Sequence, residues 1–148
     1  MKLEHEIKQT KFRNAHHKAA LNLLFTASWL QGLNNEFFKD FAITTTQFNI
    51  LRILRGHHPE KMAGVEIKSR MLDKNSDVSR LLDRLIAKKF VEKAQCPSDK
   101  RASDVIITKD GLKLLKKIDE KMNETDKLLG ITAAEAKQLS DLLDKCRG

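Results

Sequence analysis

A chain of 148 residues with 41% hydrophobic content is long enough for one ordinary domain with a core. It has no membrane-length apolar run or secretory segment, so a soluble, cytoplasmic protein with no membrane contact is expected. Its two cysteines, Cys96 and Cys146, form neither a zinc motif nor a disulfide framework, which fits a reducing compartment. The net charge of +8 is uneven: basic residues outnumber acidic ones 6 to 4 over 1–43 and 14 to 8 over 44–109, and equal them at 8 to 8 over 110–148. The excess sits in the middle of the chain, where it would attract an anionic partner such as nucleic acid, an anionic membrane or an acidic protein.

In chain order, the first expected element is a helix from about Thr10 to Lys39. Leu23, Ala27, Leu30, Phe37 and Phe41 trace one apolar line, and Leu21, Phe25 and Trp29 trace a second. Such a helix spans roughly 45 Å, more than the width of a domain of this size, so part of it should reach a second subunit. A helix from Thr46 to Arg55 follows, with Phe48, Leu51 and Leu54 on successive turns, broken by Gly56-His-His-Pro59. A short helix from Val65 to Leu72 uses Ile67 and Met71 as its core residues.

The next helix is expected to open at Asn75 as N-cap, with Val78, Leu81, Leu82 and Leu85 facing the core. Ser76, Asp77, Ser79, Arg80, Asp83 and Arg84 then occupy its outer face, a set able to bond phosphates and base edges. A merely solvated face has the same composition. Two strands follow, Phe90 to Gln95 and Asp104 to Thr108, joined by a turn from Cys96 to Ser103 that carries Lys100 and Arg101 at its tip. Long cations so placed can enter a minor groove. Helix and basic hairpin together make a winged helix-turn-helix.

From about Asp110, Leu115, Ile118, Met122, Thr125 and Leu129 recur at near-heptad spacing on a helix that Gly130 ends. Thr132 and Glu135 form a capping box for a last helix with Ala136, Leu139, Leu142, Leu143 and Cys146 as its stripe. The apolar faces at both chain ends point to a homodimer, with an intrachain bundle as the alternative. The fold expected is mainly α with a small β-hairpin wing: a winged helix-turn-helix over 44–109, with dimerisation helices at 1–43 and 110–148.

The segments Asp73 to Leu85 (DKNSDVSRLLDRL), Pro97 to Ala102 (P-x-D-x-R-A) and Ile107 to Gly111 (I-T-x-x-G) together resemble the MarR-type transcriptional regulators, named for multiple antibiotic resistance. A weaker match extends back to Thr46–Leu54. The resemblance implies that Asp99 pairs with a wing arginine, that Arg101 enters the minor groove, and that the helix from Ser76 carries major-groove contacts. It also implies a small-molecule effector, for which Phe25, Trp29, Phe37 and Phe48 are candidate walls, plain core packing being the alternative. Lys89 stands where the family often has glycine; a left-handed helix end there costs a lysine roughly 1 kcal/mol more than glycine, so a different ending is expected.

Arg70, Lys74 and Lys88 are further candidates for phosphate contacts, beside Lys100. Cys96, near Lys93, Lys100 and Arg101, is a candidate redox thiolate or else a small residue at a strand end. The histidine pairs 16–17 and 57–58 lack metal-site spacing, and no nucleophile, Walker or dinucleotide motif is present, so no catalytic residue, metal or cofactor is expected. The function expected is a homodimeric repressor on a pseudo-palindromic double-stranded DNA operator. A protein-docking winged helix and a sequence-independent architectural DNA binder are the alternatives.

Overall fold

A computed structural model describes residues 1–94, 104–123 and 128–148. The element order is α1 (Leu3–Glu6), α2 (Ala15–Lys39), α3 (Thr45–His57), α4 (Gly64–Arg70), α5 (Val78–Ala87), β1 (Val91–Lys93), β2 (Val105–Ile107), α6 (Lys109–Met122) and α7 (Ala133–Arg147). The predicted fold class is the observed one. No helix among the described residues is long and apolar enough to cross a membrane.

The N-terminal helix starts at Ala15, later than the expected Thr10. Asn14 caps it, its side chain accepting from the His17 N–H at 2.9 Å, while the Arg13 N–H donates to His17 Nδ1 at 3.2 Å. Local capping thus ends the helix at Ala15, and the preceding chain folds back as α1, with Leu3 buried and Glu4 paired to Lys18. That ion pair also holds the Glu4 carboxyl below its ordinary pKa, chiefly through the Lys18 hydrogen bond. Of the 25 residues in α2, Phe38 alone is buried, so a helix of roughly 37 Å runs along the surface with most of its apolar side chains uncovered.

The core forms around α3. Thr44 and Gln47 make a reciprocal capping box, and Ile50, Leu51 and Leu54 lie at 0–1% exposure against α4, α5, α6 and β2. Gly56 does not break this helix, which continues to His57. Ile67 and Met71 are buried, as their spacing predicts.

α5 opens at Val78, capped by Asp77, whose carboxylate accepts from the Arg80 N–H at 3.2 Å. Asn75 is therefore not the cap. Its N–H instead donates to the Asp73 carboxylate at 2.9 Å in a local turn that consumes the three residues before the helix. Val78, Leu82 and Leu85 are buried and Leu81 is half-buried, matching the expected stripe.

The helix ends in the left-handed way despite lacking glycine. Lys89 has φ 64°, its N–H donates to the Ile86 carbonyl at 2.9 Å, and the Phe90 N–H donates to the Leu85 carbonyl at 3.1 Å, which is a Schellman motif. The paired carbonyls and the turn into buried Val91 hold lysine in this conformation. Lys89→Gly is expected to stabilise the fold by about 0.5–1 kcal/mol, because relief of left-handed strain exceeds the entropy that glycine adds to the unfolded chain. A urea midpoint that fails to rise would contradict this.

The wing pairs Val91 with Ile107 and Lys93 with Val105, antiparallel, with Val105 and Ile107 buried on one side as expected. The described strands are shorter than predicted. On the other edge of β2, Met62 and Val105 exchange two backbone hydrogen bonds of 2.9 Å, which tethers the α3–α4 link to the hairpin.

Thr108 caps α6, accepting from the Gly111 N–H at 3.1 Å and donating to the Lys89 carbonyl at 2.7 Å. Leu115 and Ile118 are fully buried. The helix ends at Met122, with Asn123 as C-cap, rather than at Gly130; Thr125, expected on the same helix, lies outside the described residues. The Arg55 guanidinium reaches across from α3 to both Asp119 oxygens, at 2.6 and 3.4 Å, and anchors α6 on the core. α7 has the expected Thr132–Glu135 capping box, which also lowers the Glu135 carboxyl below its ordinary pKa through its hydrogen bonds to Thr132. It buries none of its residues.

Candidate nucleic-acid interface

The outer face of α5 carries Ser79, Arg80, Asp83 and Arg84, all exposed. Arg80 and Arg84 are one helical turn apart, and neither makes an ion pair with any of the described residues. With Thr46, Asp73, Ser76, Asp77 and Leu81 they line an open depression of about 270 Å³ at the N-terminal end of the helix. Backbone N–H groups and the positive end of the helix dipole face outward at such an end, which suits an anion. The Asp77 carboxylate is used in capping. Among the residues lining the depression, the two guanidinium groups are the cations left to grip or read.

Ser76 departs from expectation. It does not begin the exposed face but precedes the Asp77 cap and is buried, at 7% exposure, because the Asp73 turn folds it inward. Among the described residues its hydroxyl has no hydrogen-bond partner, and neither does the side-chain amide nitrogen of buried Asn49 on α3. Asn49 was not singled out from sequence. Its carbonyl oxygen accepts from the Leu72 N–H at 2.9 Å and so fixes the turn between α4 and α5 to α3. A polar residue flanked by Phe48 and by the apolar run Ile50-Leu51 was its only signal. Thr46, also missed, reaches the depression from the first turn of α3.

The other proposed cations are engaged elsewhere. Arg70 pairs with Glu66 at 2.8 Å, the Lys74 ammonium donates to the Ser69 carbonyl, and the Lys88 ammonium donates to the Ala42 carbonyl. Lys88 also lies roughly 12 Å along the helix from Arg80, at the opposite end from the depression. Asp99, Lys100, Arg101 and Cys96 lie outside the described residues.

The four aromatic side chains assigned to an effector pocket do not converge. Phe37 and Phe48 belong to a cluster about Phe38, with ring centroids 5.1 and 4.6 Å from it. Phe25 and Trp29 instead line a separate groove with Met1, Leu3, Glu6, Asn22 and Thr26. Both pairs lie on apolar lines of the sequence, but α1 fills in beside only one of them. No group of three or more His, Cys, Asp and Glu residues among the described ones could hold a metal ion.

Two helices joined by the connection 71–77, with a hairpin on the flank of the second and an arginine-bearing face at its exposed end, define a winged helix-turn-helix. The MarR family model matches residues 43–103. The multiple antibiotic resistance protein MarR of Salmonella typhimurium is 30% identical over 120 residues, covering 76% of this chain and 79% of that protein. The chain belongs to the MarR family of transcriptional regulators. Among solved structures, a MarR transcription factor from Planctomyces limnophilus is 32% identical, with a TM-score of 0.70 and coverage of 93% of this chain and 98% of that one. A mutant MarR from E. coli, complexed with operator DNA, is 25% identical with a TM-score of 0.71 over 99% of both chains.

Proposed function

We propose that this regulator is a homodimer that binds a pseudo-palindromic operator and represses by excluding polymerase from it. The observation that carries the reading is the pair of arginines, Arg80 and Arg84, unpartnered among the described residues at the open N-terminal end of α5. A solvated helix would tend to pair them; Arg70 on α4 is paired in this way. The similarity in fold to a relative solved on operator DNA supports the same docking, with two recognition helices entering successive major grooves about one helical turn apart. Residues 44–109 form the DNA-binding unit. Residues 1–43 and 110–148 bring two such units together, and the exposed Leu23, Leu24, Trp29, Leu139 and Leu142 supply the apolar surface. By family resemblance, Asp99 orients Arg101 in the wing, and Lys100 adds phosphate attraction. No effector seat is part of the reading, because the aromatic side chains assigned to it are split between two places.

The test is a mobility shift on DNA upstream of the gene, with unrelated duplex as competitor. A specific complex is expected; equal competition would indicate an architectural binder, and no shift a protein-docking module. Arg80→Ala and Arg84→Ala are each expected to weaken the specific complex by about 1–3 kcal/mol, with Arg101→Ala similar and the dimer intact. Unchanged affinity in the Arg80 and Arg84 variants would remove α5 from the interface.

A further inference from the structure

The exposed face of α6 carries a second basic surface. Lys109, Lys113 and Lys117 follow at four-residue steps and Lys116 lies beside them, so all four side chains project from one side of the helix, opposite buried Leu115 and Ile118. None of the four has an ion-pair partner among the described residues. This contrasts with α2, α4 and α7, where Lys39–Glu36, Arg70–Glu66, Lys137–Asp141 and Arg147–Asp144 pair within one turn. Asp119, three residues from Lys116, is drawn to Arg55, Lys121 turns the other way toward Asp40, and Glu120, on the same face as Lys116 and Lys117, pairs with neither of them. The stripe continues into a groove of about 560 Å³ at the base of the wing, where Lys89, Lys93 and Lys109 meet Thr108 and the C-terminal end of α5. Glu92 and Asp110 also line that groove and Glu120 stands at the far end of the stripe, so six lysines face three carboxylates.

The composition of this surface limits what it can hold. Protein interfaces are depleted in lysine and organised around buried aromatic or arginine anchors. This surface has no arginine, and none of the large exposed apolar side chains lies between Asp73 and Met122 among the described residues. A row of mobile point charges without apolar anchors suits a polyanion bound by counterion release, with no reading of sequence. Lys89 marks the C-terminal end of α5, whereas the operator-reading depression is at the N-terminal end. The two surfaces are therefore separated by roughly the 15 Å length of α5.

We propose that the α6 lysine stripe, with Lys89 and Lys93 at its head, binds backbone phosphates of duplex DNA outside the operator. The duplex would be either the flanks of the bound site, drawn round toward the wing base, or a second segment held in trans. The inference rests on the operator-binding reading for its setting but is tested separately from it.

The experiment compares wild type with the fourfold variant Lys109→Gln, Lys113→Gln, Lys116→Gln and Lys117→Gln, whose thermal unfolding is checked first because α6 packs through its other face. Each protein is titrated against a duplex trimmed to the operator footprint and against the same duplex carrying random flanks, over a range of salt. Each operator complex is also offered a second, labelled, unrelated duplex. If flanks are the source, wild type binds the flanked duplex more tightly. With four extra phosphates engaged per dimer, that advantage falls by roughly 10²-fold between about 50 and 200 mM salt. The variant loses the advantage and keeps its affinity for the trimmed duplex. If a second segment is the source, wild type retains the labelled duplex and the variant releases it.

A variant that keeps either effect, a wild type that shows neither, or a variant equally weakened on the trimmed duplex would each overturn the proposal. So would capture of poly-glutamate by wild type alone with no difference on DNA, which would assign the stripe to an acidic protein. Failure of the trimmed duplex to bind at all would count against the operator reading; the labelled unrelated duplex would then be offered to the free proteins, and tighter binding by wild type than by the variant would support the stripe, equal binding overturn it.

Discussion

Gly111→Ala is expected to destabilise the protein by about 2–3 kcal/mol and to lower Tm by roughly 5–10 °C. An added Cβ would stand 2.4 Å from the Phe90 carbonyl oxygen and 2.7 Å from Ile107 Cγ1. The first neighbour is backbone, and that same carbonyl accepts from the Thr108 N–H at 3.0 Å, so it cannot move without loosening the base of the wing. Alanine ordinarily gains about 1 kcal/mol over glycine inside a helix, but here the overpacking exceeds that gain. The wing and the start of α6 share this contact, so DNA affinity is expected to fall together with stability. Equal unfolding midpoints for the two proteins would overturn the claim that the Phe90 carbonyl excludes a side chain at this position.

The second large effect is expected from Leu139→Glu combined with Leu142→Glu. These side chains are 44% and 54% exposed in the single chain, so charging them should leave the fold of each subunit unchanged by circular dichroism. Buried in a dimer, the two carboxylates per chain would be desolvated without partners. Sedimentation should then report a monomer. Operator affinity should drop by at least about 100-fold, since the second half-site is no longer held at high effective concentration by the first. A variant that remains dimeric would move the proposed interface away from α7.

Much of the fold was legible because its signals are local. The α5 stripe of Val78, Leu82 and Leu85, the Thr132–Glu135 box and the alternation of Val105 with Ile107 each depend on residues within a turn or two of one another. Errors arose where two local signals competed. Asn75 and Asp77 are both N-cap residue types, and because the Asp73 turn delays the helix to Val78, it is the Asp77 carboxylate that reaches the Arg80 N–H. The apolar lines of the first long helix begin only at Leu21, so they did not fix its start, which Asn14 and His17 set. At Lys89 an intrinsic preference was overridden: the carbonyls of Leu85 and Ile86 and the burial of Val91 hold lysine in a conformation that glycine would occupy with less strain.

The candidate site divides in the same way. Periodicity alone placed Arg80 and Arg84 on the outer face of the helix, since a 3.6-residue repeat with an apolar side leaves its polar side no other direction. It could not show that Ser76 turns inward, that Lys88 is drawn to the Ala42 carbonyl, or that Asn49 ties the helix-turn-helix to α3, because each depends on a partner distant in the chain. The α6 lysines were visible in the sequence as an ordinary solvated face. Only the tertiary structure turns Asp119 toward Arg55 and Lys121 toward Asp40, which leaves the four lysines without an ion pair and in excess over the nearby carboxylates among the described residues. Sequence by itself determined which residues could face outward. Packing decided which of them remain unpaired, because ion pairs and buried hydrogen bonds form between elements whose proximity no local pattern encodes.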